Sequence, residues 1–232
     1  MNNMKIAKEL FKEKFLEVLK IFGIEIFLSL IIVIVMGMIP ILNLLSVIFT
    51  QILTVIPAME FYKRVVIGNE RLNFFSMFGD ALDYYGKNTK IISAILPKYL
   101  LQLVPIVLGL LFVTMIPLFM IAAMLGGREY AFIFTPGIVP ILLALGVVAI
   151  YYSYYLNYKY TYAIVAMLNE VDAKEIVSCY KKEIIKLSLK ALIFSVIPIL
   201  NLIIPIVYQI KILLDVGNIN IIENVNENTF EI

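Results

Sequence analysis

Asp80 and Asp83 stand three residues apart, a spacing that puts both carboxylates on one face if that segment is helical. Such a pair could divide general acid and general base roles. Around them, Gly79 to Lys87 has the Gly…Gly-Lys outline of a phosphate-cradling loop. Its glycines are two residues too far apart, and Asn88 stands where a magnesium-holding Ser or Thr belongs. Nucleophilic chemistry would fall to Cys179, next to Ser178, but the chain has no His to serve as base,. One Cys without His cannot build a zinc site. Asp80 and Asp83 therefore read as solvated loop acids. No catalytic residue, cofactor or metal is expected, and the chain is not read as an enzyme.

Ionisable residues inside apolar runs are the other candidates. Glu25, Glu60, Lys98, Lys159, Lys211 and Asp215 qualify, most of them within a turn or two of a boundary where a long side chain can reach headgroups,. Helical spacing pairs Glu60 with Lys63 or Arg64, and Lys211 with Asp215. Lys98 is left without a partner. Glu60, Lys63, Arg64 and Lys98, with Asn43 and Asn201, are the expected contacts to lipid or to a partner. No row of acids crosses the apolar runs, which argues against a proton-driven pump.

The elements that would carry these residues follow from composition. Of 232 residues, 62% are hydrophobic and 16% charged, against about 45–50% and 25% in soluble domains. Several runs approach the roughly 20 apolar residues that cross a bilayer core. They are continuous rather than alternating, which predicts helices and not a barrel. The expected fold is all-α, a polytopic transmembrane helical bundle of about six spans, in one domain over 1–217. A charged lead-in over 1–20 precedes the first run with no cleavage site after it, so no cleavable signal peptide is expected. With apolar residues at Met4, Ala7, Phe11 and Phe15, it reads as an interfacial amphipathic helix. A hairpin follows over 21–66, a polar connection over 67–90, then middle helices over 91–168. A second amphipathic stretch covers 172–190 and a second hairpin 191–217. The asparagine-rich tail, 218–232, is expected to lack regular structure.

The two hairpins repeat one another. Ile39-Pro40-Ile41-Leu42-Asn43-Leu44 returns as Ile197-Pro198-Ile199-Leu200-Asn201-Leu202, and each copy follows an Ala-Lys-Glu segment (Ala7-Lys8-Glu9 and Ala173-Lys174-Glu175). Pro-x-x-Asn between apolar runs reads as a helical-hairpin turn. The second copy is eight residues shorter between segment and proline, about 12 Å of helix. Either Lys186 and Lys190 snorkel across a thinned bilayer, or the second hairpin is re-entrant with Asn201 at depth. Of the 19 Lys and Arg residues, all but Arg128 fall on one side of a six-span layout. The positive-inside rule then puts both termini in the cytoplasm and makes the repeat parallel. Tyr151, Tyr152, Tyr154, Tyr155, Tyr158, Tyr160 and Tyr162, half of the fourteen tyrosines, read as an interfacial belt combined with helix packing.

Three stretches resemble a group of uncharacterised prokaryotic polytopic proteins, themselves similar to the membrane domain attached to some glycerophosphodiester phosphodiesterases. They are Ile39 to Leu44 with Glu60 to Gly68, Phe78-Gly79-Asp80-Ala81-Leu82 with Tyr85-Gly86-Lys87, and Tyr160-Thr161-Tyr162-Ala163 with Glu175-Ile176-Val177-Ser178. The phosphodiesterase catalytic domain has no counterpart. The resemblance implies a six-helix, non-enzymatic membrane protein with no agreed activity. The expected role is assembly through helices with a membrane-protein partner or a second copy, or contact with membrane lipids, at the cytoplasmic membrane and without nucleic acid. The alternative is the permease half of a transporter that relies on a separate ATPase.

Overall fold

The structure, a computed structural model, describes residues 3–37, 50, 53–104, 121, 128–195 and 197–228. Residues 37, 128–139, 198, 199, 201, 202 and 218–228 are described by backbone alone. Every regular element among them is helical. In chain order these are α1 (Asn3–Glu13), α2 (Phe15–Gly37), α3 (Val55–Phe61) running into a π-helical segment (Tyr62–Ile67), α4 (Phe74–Lys87), α5 (89–104), α6 (Arg128–Leu168), α7 (Ala173–Cys179), α8 (Lys181–Phe194) and α9 (Pro198–Asn228).

Two of these helices are long and apolar enough to cross a membrane, over Phe15–Met36 and Pro140–Leu168. At 1.5 Å per residue they measure about 33 and 43 Å. A core helix of a soluble protein would be mostly covered by its neighbours. Here only 22% and 28% of the most apolar windows are buried. On α2 the buried stripe Val18, Ile21, Ile24 and Leu28 ends at Leu28, beyond which Leu30, Val33, Ile34 and Val35 stand exposed. On α6 the order is reversed. Ile141, Leu143, Val147 and Val148 are exposed, and dense burial begins at Leu156 and runs through Tyr158, Tyr160, Tyr162, Val165 and Ala166. The packed core thus lies where the charged helices are, with two bare apolar arms leaving it.

Every residue of α3 except Glu60 is buried. α6 packs most extensively on α8 and next to α7, while α1 packs on α9. The 67–90 connection is more ordered than its polarity suggests. It contains α4, which buries Met77, Ala81 and Tyr84 and leaves Asp83 exposed. In α5, Ile91, Ile95, Tyr99 and Leu103 form one buried stripe at four-residue spacing,.

Helix boundaries depart from expectation in three places. The lead-in breaks at Lys14, so its last residues open α2 instead of lying apart from it. Pro198 does not sit in the hairpin turn. It is the first residue of α9, a position where its missing N–H costs nothing,. α8 ends before it, its C-terminus capped by Ser195 N donating to Ala191 O at 2.8 Å, with Ile197 N donating to Phe194 O at 3.0 Å. α9 also continues as helix through 218–228, because each added residue of a helix already nucleated by packing gains a hydrogen bond,. The first copy of the repeat, with Asn43, lies outside the described residues.

Two helix exits use a left-handed residue that is not glycine: Asn69 at φ 59° and Glu170 at φ 61°. After α6, Val171 N donates to Ala166 O at 2.9 Å, closing the helix end with Glu170 where glycine is usual,. After the π segment, Gly68 N reaches Lys63 O at 2.9 Å and Glu70 N reaches Arg64 O at 3.0 Å. Lys63 Nζ donates to Asn169 Oδ1 at 2.9 Å and ties the two exits together.

Candidate functional site

Two ion clusters and two cavities gather the polar residues. The first cluster forms around Arg64. Its Nε donates to Glu70 Oε2 at 2.8 Å, and its Nη1 to Asp80 Oδ2 at 3.0 Å and to Tyr84 Oη at 2.5 Å. Tyr84, Glu70 and Asp80 together hold the guanidinium pKa above its ordinary value. Burial raises that of the Tyr84 hydroxyl, and Arg64 partly offsets the rise. Glu60 was expected to take Arg64 or Lys63, and it takes neither. Arg64 is drawn instead to Glu70, just past the π segment, and to Asp80 on α4. Asp80 is therefore an ion-pair acid on α4, not a solvated loop acid, and Asp83 is exposed.

The second cluster is centred on Asp215. Its Oδ2 accepts from Lys211 Nζ at 2.5 Å and Tyr162 Oη at 2.7 Å, and its Oδ1 from Asn3 Nδ2 at 2.9 Å. Lys211 also meets Glu183 Oε1 at 3.2 Å. Tyr180 Oη donates to the Asp215 carbonyl at 2.9 Å, and its ring stacks on Tyr162 with centroids 5.0 Å apart. Burial, then Asp215 and Cys179, push the Tyr180 hydroxyl up to about 12. The Lys211–Asp215 pair expected from spacing is present. Glu183, Tyr162, Tyr180 and Asn3 were invisible to spacing because they come from distant parts of the chain.

The tyrosine run is used for packing. Tyr160 meets Tyr99 edge-on at 5.2 Å, Tyr158 meets Tyr208 at 5.6 Å, and Tyr152 stacks with Tyr155 at 6.0 Å. The Glu25 carboxyl, on α2, is buried beside Tyr62 and Tyr85 instead. Its Oε1 and both hydroxyls have no hydrogen-bond partner by geometry among the described residues.

Lys98, the residue left unpaired by spacing, opens on a cavity of about 630 Å³ between α5, α6 and α7. Lys98 and Gln102 face it from α5 at i, i+4. Lys159 enters from α6, donating to Gln102 Oε1 at 3.1 Å and lying 5.3 Å from the Tyr160 ring centroid. Lys174 comes from α7, where the Asp172 carboxylate caps the helix by accepting from Lys174 N at 2.8 Å. Ile95, Ala163, Met167 and Val177 supply an apolar wall. A second cavity of about 460 Å³ lies between α1, α8 and α9. Lys8, Lys12 and Lys190 line it, over a wall that includes Phe11, Phe194, Ile203 and Val207.

Of the expected contact residues, Arg64 lies in the first cluster, Lys63 joins two helix exits, and Lys98 lines a cavity. Glu60 is half-buried and without an ion pair among the described residues. Asn201 is placed by backbone alone, in the first turn of α9. No group of three or more His, Cys, Asp and Glu side chains among the described residues could hold a metal. No protein-family model, curated protein or solved structure matches the chain.

Proposed function

We propose that the chain is a non-catalytic, multi-pass protein of the cytoplasmic membrane whose working surface is its contact with membrane lipid. The observation that carries this reading is the division of α2 and α6 into a packed half and a bare apolar half. Water would penalise such a surface at about 25 cal/mol per Å², and lipid removes the penalty. Both termini and the charged core belong on the cytoplasmic side, as the distribution of Lys and Arg requires. The second hairpin dips into the membrane and returns. From Ala191 to Ile197 there are too few apolar residues to span, about 10 Å against a hydrocarbon core near 30 Å. The resemblance to the phosphodiesterase-linked membrane domains fits the same non-enzymatic role.

Cys179 is the only cysteine and is exposed, so the native chain reports its own topology. The protein should stay in the membrane pellet after salt and urea washes. A membrane-impermeant thiol reagent should label Cys179 only after the cells are opened. Release of the chain by the washes, or labelling from outside intact cells, would refute the reading.

A further inference from the structure

The geometry points to an anionic-phospholipid site at each Ala-Lys-Glu segment, where lysines hold the headgroup phosphate and the apolar wall takes the first methylenes of the chains. The inference rests on the membrane reading above and adds the class of lipid. Lys8 and Lys174 hold the same place in the two Ala-Lys-Glu copies, and each lines a cavity with two further lysines. In the larger cavity the other two are Lys98 and Lys159, and one acid, Asp172, is present. Three cations less one acid leave +2, and the Asp172 carboxylate is already engaged by a backbone N–H. In the smaller cavity Lys12 and Lys190 join Lys8 with no acid in the lining, which leaves +3.

Isolated lysines at a membrane surface reach headgroups one by one. Those of the larger cavity converge from three helices and those of the smaller from two, and Lys159 is half-buried and held in place by Gln102 and the Tyr160 ring. Lysine is a point-charge binder of phosphate, and basic pockets on the cytoplasmic side of membrane helices suit anionic headgroups. Both volumes lie in the range of small-molecule sites, about 300–1,000 Å³. The apolar wall selects an amphiphile over a free anion. Lys190, which is too close to Pro198 for a spanning hairpin, has its place here, at the depth of a headgroup.

The test uses the full chain in mild detergent, followed by native mass spectrometry during titration with phosphatidylglycerol. Phosphatidylcholine of the same chain length and glycerol phosphate are run in parallel. The wild type should retain phosphatidylglycerol roughly tenfold better than phosphatidylcholine. Lys98→Gln/Lys174→Gln and Lys8→Gln/Lys12→Gln should each weaken one of the two binding steps by roughly tenfold or more, from about 1 kcal/mol per lysine. Lys181→Gln/Lys182→Gln, exposed lysines that line neither cavity, should leave both steps intact. Lys98→Arg/Lys174→Arg keeps the charge and should keep binding, which separates loss of the site from loss of fold.

Equal retention of the two lipids overturns the proposal. So does unchanged binding in the cavity variants, or an equal loss in the Lys181/Lys182 variant. Displacement of the lipid by glycerol phosphate would assign the cavities to a soluble phosphoester and refute the lipid as occupant. A chain washed off the membrane defeats the parent reading. A chain that stays in the membrane without preference for phosphatidylglycerol defeats the lipid sites alone.

Discussion

The side chains of Lys211 and Asp215 keep 8% and 6% of their surface exposed, whereas Arg64, Asp80 and Glu70 keep 33%, 34% and 48%. The two clusters also differ in reach. Arg64 draws its partners from within twenty residues of chain. Asp215 joins Asn3, Tyr162, Tyr180 and, through Lys211, Glu183. One cluster fixes the orientation of a local turn against α4. The other binds α9 to α1 and α6 at the Asp215 carboxylate and to α8 through Lys211 and Glu183. Burial and sequence separation therefore rise together, and the cost of disturbing each cluster should follow both.

The sharpest way to break this contrast is Asp215→Ala. It leaves Lys211 facing Glu183 alone and removes the acceptor that Asn3 and Tyr162 share, and it should cost about 3–5 kcal/mol. Unfolding in detergent, followed by circular dichroism, would measure it. A loss no larger than a surface pair gives, about 1 kcal/mol, would show that the hub is not sealed. Gly68→Ala comes next, at about 1–3 kcal/mol. A Cβ there would stand 2.6 Å from Arg64 O, a backbone atom that cannot give way without moving the π segment. The same unfolding assay would read this loss, together with a disturbed Arg64 cluster.

Tyr180→Phe removes one donor to Asp215 and should cost about 1 kcal/mol at neutral pH. Its pH signature is more telling. The folded pKa near 12 lies above the unfolded value of 10.0, so the folded state keeps its proton longer. The stability this gives is complete below pH 10 and is lost as pH rises from 10 through 12. The wild type should therefore lose more stability across that window than Tyr180→Phe does, and parallel pH profiles would refute the assignment. Arg64→Gln, in the wetter cluster, should cost about 1 kcal/mol or less. Last, Glu17→Gln should cost no more than about 0.5 kcal/mol, because its pair with Lys20 at 3.0 Å is exposed,.

Local features of the structure were readable in the sequence. The i, i+4 pair of Lys211 and Asp215 was one, and the helical class was another, since continuous apolar runs allow little else. What escaped was what depends on distant residues. Arg64 takes Glu70 and Asp80, six and sixteen positions on, across a turn that no helical spacing joins. The role of Lys98 needed Lys159 and Lys174, which lie 61 and 76 positions away, on helices whose packing no spacing rule foretells. Pro198 was misplaced because a proline between apolar runs suits the first residue of a helix as well as a turn,.

Glu170 sets more than the end of α6. Its left-handed backbone turns the chain within three residues, so that α7 leaves at an angle that brings Lys174 back toward Lys159. That corner, together with the packing of α7 on α6, sets the spacing of the lysines across the larger cavity. Proline at this position, with φ held near −65°, would swing α7 aside and open the pocket without altering a single lysine.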